Sequence, residues 1–588
     1  MESNCSVMNN RIIRVSEYGI LPNTDITMSL YDLMQRFKEN VIFVFENEDY
    51  YLSPHEALCK KLNLSNTYKR DNRMLGICLE NMSDCEIQGN GARFFFEGHM
   101  QPITLEQCER IVIRDIIINW KKPLVSEGTV VSSTEKTTDI RIDKEAFPHR
   151  YQDGEIEFDI GAGEWYPLPV GGHMIFDTEN CIYRNIGNRF SFERIDRIGE
   201  DVYRFYRDSD SPIIPTLSTV VFRHNSRLHA GVFSQECKDL TFDNITVHSC
   251  GGLGFLSQAC HNLTFRQIYF IPDTTRGRSV SNGHDDGMHL TCNSGTVTIT
   301  ECSFVGLMDD PINIHGCYVM AENVVDAYTV RCRYGHYMAT GFDWWAKPND
   351  EVAITEISNM NVISTAKVCS YKLEDDEHFL LKLTDPLSQN IIERINAGQV
   401  AIDNITNTAA FICTKNRFGS CRARGLLVST PKPVLIEDNY FESSGSAILI
   451  AGDAEHYFES GACHDVVIRN NVFTDHCMSA MYSYCKGIIS IFPLIQAPKT
   501  DMPYHRNIRI EENVFDTPDN TVLYAFSCES LEFRNNLIFK SPAEVTKSGR
   551  SMIVLDSCRD VNISNNKTVG NLDYCTFVEE KHCKNINC

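Results

Sequence analysis

The sequence is short of tryptophan, with four in 588 residues, and it contains no Cys-x-x-Cys pair. Nowhere does it approach the roughly 18–20 consecutive apolar residues of a membrane helix, so no membrane span is expected. Met1 to Asn10 carries neither a basic start nor an apolar core. No secretory signal is visible there, and a cytoplasmic location is the expectation. Basic residues are the scarcer charge: 55 Lys and Arg stand against 78 Asp and Glu, a formal net charge of −23. That balance argues against a grip on phosphate backbones, so no nucleic-acid partner is expected. The 24 cysteines are scattered singly, and pairs such as Cys78/Cys85 and Cys413/Cys421 do not fit zinc spacing. Reduced, buried thiols acting as small hydrophobes are expected rather than disulfides or a metal cluster. With 43% hydrophobic and 23% charged residues the chain is ordinary globular protein, yet too long for one compact core.

What is present is a repeat. An apolar alternation, two polar positions, an Asn and an apolar pair recur in one frame. The copies read Val434-Leu-Ile-Glu-Asp-Asn439-Tyr-Phe441, Val466-Val-Ile-Arg-Asn-Asn471-Val-Phe473 and Ile508-Arg-Ile-Glu-Glu-Asn513-Val-Phe515. Leu531-Glu-Phe-Arg-Asn-Asn536 and Val561-Asn-Ile-Ser-Asn-Asn566 continue it, and looser copies begin at Leu240, Leu263 and Val297. Leu240 and Leu263 are 23 residues apart, as are Asn513 and Asn536, while other intervals stretch to 30, 32 or 42. A period in the low twenties suits one coil of a parallel β-helix with loops of variable length. The Asn has two physical uses: it tolerates the left-handed conformation at a corner, and its amide can ladder between coils. Ile87 and Ile111 head the first coils, and Tyr31 to Asn40 reads as a helix capping the open end.

The pattern lapses twice, over about 100 residues each: Gly- and Pro-broken strands replace the repeat in the first, and alternating segments such as Val352-Ala-Ile-Thr-Glu-Ile357 in the second. The predicted organisation is therefore a cap and first coils over 1–120, an inserted β-domain over 121–221 and coils over 222–316. A second inserted β-domain over 317–416 and C-terminal coils over 417–588 complete it.

Two acidic clusters stand out, Asn282-Gly-His-Asp285-Asp286-Gly-Met-His289 and Met308-Asp309-Asp310-Pro-Ile-Asn313-Ile-His315. Asp286 and Asp309 are 23 residues apart, so they are expected side by side on neighbouring coils. Pro311, which cannot donate to the ladder, would let both Asp309 and Asp310 reach one cleft. Carboxylates crowded together repel, so at least one should keep its proton near neutral pH. Glycoside hydrolysis needs that pair of states, one neutral acid and one ionised carboxylate. Capping of turns and a structural calcium are the competing roles.

These segments carry a family resemblance. His284-Asp-Asp-Gly-Met-His-Leu290, Gly306-Leu-Met-Asp-Asp-Pro-Ile-Asn-Ile-His-Gly316 and Arg422-Ala-Arg-Gly-Leu-Leu-Val428 resemble glycoside hydrolase family 110, as do Ile448-Leu-Ile-Ala-Gly-Asp-Ala454 and Phe458-Glu-Ser-Gly461. The resemblance implies a right-handed parallel β-helix with two inserted small β-barrels. It also implies an exo-acting, inverting α-1,3-galactosidase for blood-group-B-type glycans, with no metal and no organic cofactor. By motif, Asp309 would be the general acid, with Asp286 and Asp310 positioning and deprotonating the attacking water. Asp285 departs from the small residue usual before the catalytic Asp-Gly, which leaves the roles of Asp285 and Asp286 less sharply divided.

Candidate sugar contacts are His289, His315, Asn313, Arg422, Arg424 and Glu459, with Asp453 and His284 beside them. Trp344-Trp345, half of all the tryptophan, is either a stacking face for galactose or a barrel core. The expected partner is thus an oligosaccharide or glycoconjugate ending in α-galactose. The rivals are a polygalacturonate hydrolase or lyase and a non-catalytic glycan-binding solenoid. The absence of a Lys/Arg cluster near the Asp pairs argues against a uronate polymer. Oligomeric state is not legible.

Overall fold

The computed structural model describes residues 10–69, 72–176, 190–209, 211–224, 227–281, 284–480, 482, 484–542 and 550–588. Met1 to Asn9 and the pair Asn282-Gly283 of the first acidic motif lie outside the described residues.

Two parallel ladders run the length of the molecule. The first passes from Arg11–Arg14 through Glu39–Val44, Ser83–Phe96 and Glu109–Trp120. It then jumps to Lys238–Val247 and continues through His261–Phe270 and Ser294–Thr300. A second jump leads to Ala409–Thr414, and the ladder ends at Lys584–Asn587. The sequence frame is the ladder register: Val434 pairs with Val466, Val466 with Ile508, Ile508 with Leu531, and Leu531 with Val561. A parallel β-helix results, its interior filled by the inward apolar positions of every coil.

Two stacks run inside it. Phe304, Phe418, Phe441, Phe473 and Phe515 lie ring on ring, with centroids 4.5–5.3 Å apart. Beside them, buried Asn416, Asn439, Asn471, Asn513 and Asn536 and half-buried Asn566 form an amide ladder, each side-chain NH₂ donating to the next side-chain oxygen at 3.0–3.1 Å. The left-handed conformation belongs to the residue before each Asn, for example Asp438, Asn470 and Asn535. The repeated Asn therefore ladders, while its neighbour turns the corner. Those neighbours face solvent, where Asp or Asn tolerates positive φ and any polar side chain is accommodated.

The expected cap helix forms four residues early, over Thr27–Arg36, because the Asp25 carboxylate accepts the Thr27 N–H at 2.9 Å. It buries Leu30, Leu33 and Met34 and packs on strand Arg73–Glu80.

The second ladder carries the site. It runs Arg73–Glu80, Gln101–Glu106, Val232–Gln235, Phe255–Gln258, Met288–Thr291, Ile312–Asp326, Leu426–Val428 and onward to Thr576–Lys581. Between Trp120 and Val232 six antiparallel strands form a barrel-like sheet whose end strands meet at a His173–Phe190 bridge. Strand Ile312–Asp326 leaves the helix to open a closed six-stranded antiparallel barrel, completed by Thr329–Tyr334, His378–Leu383, Val362–Leu373, Glu351–Glu356 and Val400–Asn404. The 22 described cysteines are all free thiols, 17 of them buried, in keeping with small hydrophobes inside coils and barrel.

Candidate active site

Three coils of the second ladder build the site. Met288 pairs with Ile312 and Ile312 with Leu426. Two residues before each strand position, Asp286, Asp310 and Arg424 fall on one row. The Gly287 N–H donates to the Asp310 carbonyl at 2.9 Å, and the Arg424 N–H donates to Asp310 Oδ1 at 2.9 Å. The offset is 24 residues, so the in-register neighbour of Asp286 is Asp310 rather than Asp309. Asp309 precedes it in a bend and reaches the same cavity, since Pro311 holds off the strand until Ile312. Gly287 is required behind Asp286: a Cβ there would stand 2.7 Å from the Pro311 carbonyl.

Carboxylate oxygens of Asp286, Asp309 and Asp310 all lie within 4.8 Å of one another. Their side chains are 5%, 22% and 2% exposed, so Asp309 alone of the three opens appreciably to the cavity. Arg424 Nη2 sits 2.8 Å from Asp310, and Arg227 bridges Asp285 and Asp309, the latter at 3.3 Å. Burial works against Asp285 ionising, but Arg227 and His284 outweigh it and hold its pKa at about 2. Asp286 is pushed well above the carboxylate range by burial and then by Asp309. Asp310 is raised likewise, by burial, against the pull of Arg424. Guanidinium groups pair with Asp309 and Asp310, and His289 with Asp286, so each carboxylate that a hard cation would need already has a partner, which fits proton chemistry better than a metal.

A histidine chain stands behind Asp286. His315 Nδ1 lies 2.6 Å from the Gly316 carbonyl, which only accepts, so the proton is on Nδ1. In the neutral ring Nε2 is then an acceptor, and it meets His289 Nε2 at 3.1 Å. His289 must donate there, which leaves its Nδ1 to accept from Asp286 Oδ2 at 2.9 Å. Burial keeps both rings neutral, His289 with a pKa of about 4 and His315 below its ordinary value. The chain is satisfied when Asp286 carries a proton.

Glu459, from a loop of the C-terminal coils, is held by the strand that opens the second barrel. Cys317 and Gly316 of that strand pair antiparallel with Glu459 and Ser460. Asn313 Nδ2 donates to Glu459 at 3.1 Å, and His315 Nε2 lies 3.7 Å from the same carboxylate.

A protein-family model described as GLAA-B beta-barrel domain II matches residues 329–394, within the second barrel. Alpha-1,3-galactosidase B of Bacteroides thetaiotaomicron is 36% identical over 584 residues, covering 96% of this chain and 92% of the relative. Alpha-1,3-galactosidase A of Bacteroides fragilis is 30% identical over 566 residues, covering 93% of this chain and 90% of the relative. This chain belongs to the α-1,3-galactosidase family, glycoside hydrolase family 110. Solved structures match it distantly. The catalytic unit of an α-1,3-glucanase from Streptomyces thermodiastaticus gives a TM-score of 0.41 at 8% identity, over 98% of this chain and 69% of that one. An exopolygalacturonase from Thermotoga maritima gives 0.35 at 9%, over 98% and 92%.

In this family member the three aspartates line a cavity of about 310 Å³. Asn313, Arg422, Arg424, Glu459 and Asp453 also line it. Arg422 donates to the Met308 carbonyl at 3.0 Å and lies 4.9 Å over the Tyr482 ring. Asp453 is spent on its own loop, accepting the backbone N–H groups of Glu455 and His456 at 2.8 and 3.0 Å. His289 and His315 stand behind the lining as braces, and His284 pairs with Asp285 at 2.8 Å. Trp344 and Trp345 are a correction. They fill the second barrel, 2% and 0% exposed, with Trp345 Nε1 donating to the Cys317 carbonyl at 3.2 Å. A closed six-stranded barrel needs large inward side chains, and these indoles supply them. The sequence reading missed Arg223, Arg227, Asn66, Tyr457, Tyr482, Tyr484 and Phe492 of the lining. Arg223 and Arg227 sit where the chain returns from the first insertion, and that position is their only sequence signal.

Proposed function

We propose that this protein is an exo-acting α-1,3-galactosidase that hydrolyses terminal α-1,3-linked galactose from blood-group-B-type glycans, with linear Galα1,3Gal as a further candidate substrate. The observation that carries this reading is the carboxylate triad, one oxygen of each within 4.8 Å of the others, in the wall of a cavity of about 310 Å³. A cavity at the lower end of ligand-pocket sizes supports a terminal sugar as the bound unit. The names of its relatives, alpha-1,3-galactosidase A and B, support the same linkage. Asp309, the most exposed of the three, would protonate the departing glycosidic oxygen. Asp286 and Asp310 would orient water and take its proton as it attacks the anomeric carbon, giving inversion. Inversion is carried by the family resemblance: general geometry puts inverting carboxyl groups roughly 6.5–9.5 Å apart, wider than the spacing here.

A second assignment of roles has its own observation. The Gly316–His315–His289 chain is satisfied by a proton on Asp286, which would make Asp286 the donor and leave Asp309 and Asp310 as bases. Incubation with blood group B trisaccharide, linear Galα1,3Gal and Galα1,4Gal tests the function. Free galactose from the α-1,3 substrates is expected. Release from Galα1,4Gal alone, or from none, would overturn the proposal.

A further inference from the structure

A run of exposed aromatic rings begins in the cavity wall and continues beyond it. Tyr68, Tyr337 and Tyr457 are 42%, 62% and 54% exposed, unusual for such large rings. They come from three distant chain segments and form one arc with His336. Ring centroids run Tyr68 to Tyr337 at 6.4 Å, Tyr337 to His336 at 4.7 Å and His336 to Tyr457 at 6.0 Å.

Both ends of the arc are tied to the acidic site. The Tyr68 N–H donates to the Arg227 carbonyl at 2.8 Å, and Arg227 Nη1 donates to Asn66 of the cavity wall at 2.9 Å. Tyr457 itself lines the cavity, beside Asp453 and Glu459. The middle of the arc is held as firmly. Asn63 donates to the Gly341 carbonyl at 2.6 Å, fastening the Tyr68 segment to the second barrel. Gly335 lets the barrel close on the Tyr457 loop, since a Cβ there would stand 2.2 Å from the Phe458 ring. These rings are therefore preorganised and contribute little to any core.

Resting on the function proposed above, we infer that this aromatic arc is the binding platform for the acceptor-side sugar, the residue to which the departing galactose is attached. Tyr457 lines the cavity of about 310 Å³, and the arc carries ring faces from it outward to Tyr337 and Tyr68, which do not line it, so a pyranose leaving the cavity on that side meets aromatic faces. Ring faces are negative and the C–H faces of a pyranose are apolar, so the two stack without desolvating the sugar hydroxyls. The second barrel thereby contributes to substrate choice through Tyr337 and His336.

The test compares Galα1,3Gal with α-galactosyl fluoride, which has no acceptor sugar. For Tyr337→Ala and for Tyr68→Ala, the ratio of kcat/KM on the disaccharide to that on the fluoride should fall roughly threefold to tenfold, the worth of one ring contact. Tyr337→Phe keeps the ring and should restore the ratio. A ratio unchanged in both alanine variants, or a loss shared equally by both substrates, would overturn the platform. Wild-type protein inactive on both substrates would overturn the galactosidase reading itself, a separate result.

Discussion

Under the proposed assignment, replacing Asp309 with asparagine separates proton donation from the other roles of the site. Asp309 is 22% exposed, and its contact with Arg227 is a single 3.3 Å approach, so an isosteric amide keeps an oxygen for that guanidinium. The variant should therefore keep the fold, with Arg227 still paired to Asp285. Proton transfer to a leaving group is worth roughly 10²–10⁴ in rate, about 2.7–5.5 kcal/mol of barrier. Hydrolysis of Galα1,3Gal by Asp309→Asn should fall by that factor. Fluoride leaves without a proton, so α-galactosyl fluoride should still be cleaved within about tenfold of the wild-type rate. Galactose release under matched conditions measures both. The reasoning fails if Asp309→Asn loses the two substrates equally while Asp286→Asn spares the fluoride. In that case the histidine chain, not exposure, identifies the donor.

Two further outcomes follow from buried groups. Burial and Asp309 raise the pKa of Asp286 in the folded chain, so its contribution to stability is full below about pH 4 and is lost as pH rises through the folded value. Asp286→Asn removes that titration, and the fall in Tm between pH 5 and pH 8 should shrink; an undiminished fall would refute a raised Asp286. In the amide ladder, Asn471 accepts the N–H and the side-chain NH₂ of Asn439 at 2.9 and 3.0 Å. Asn471→Ala leaves two buried donors unpaired and should lose about 2–4 kcal/mol in urea unfolding; a loss under about 0.5 kcal/mol would show that the ladder is incidental.

The repeat was legible because inward positions obey one rule coil after coil. Val434, Val466, Ile508, Leu531 and Val561 occupy the same interior column, and a sequence frame is all that such a column needs. The acidic cluster was legible because charge seldom survives burial without a task. What sequence spacing missed was a single residue: a 23-residue period pairs Asp286 with Asp309, whereas the strands pair with an offset of 24. A loop can absorb one residue without altering the pattern on either side. Arg223 and Arg227 were illegible because they meet Asp285 and Asp309 only through the return from the first insertion, across 58 residues of sequence or more. Trp344-Trp345 looked equally suited to sugar stacking and to a core, and the decision lies in barrel closure, a tertiary fact.

The central claim is that the triad Asp286, Asp309 and Asp310 directs water to the anomeric carbon of a terminal α-1,3-linked galactose. Proton NMR during the first minutes of Galα1,3Gal hydrolysis tests it most directly, before mutarotation mixes the anomers. The account predicts β-galactose as the first product. α-Galactose appearing first would contradict it, placing one of these carboxylates on the sugar carbon instead.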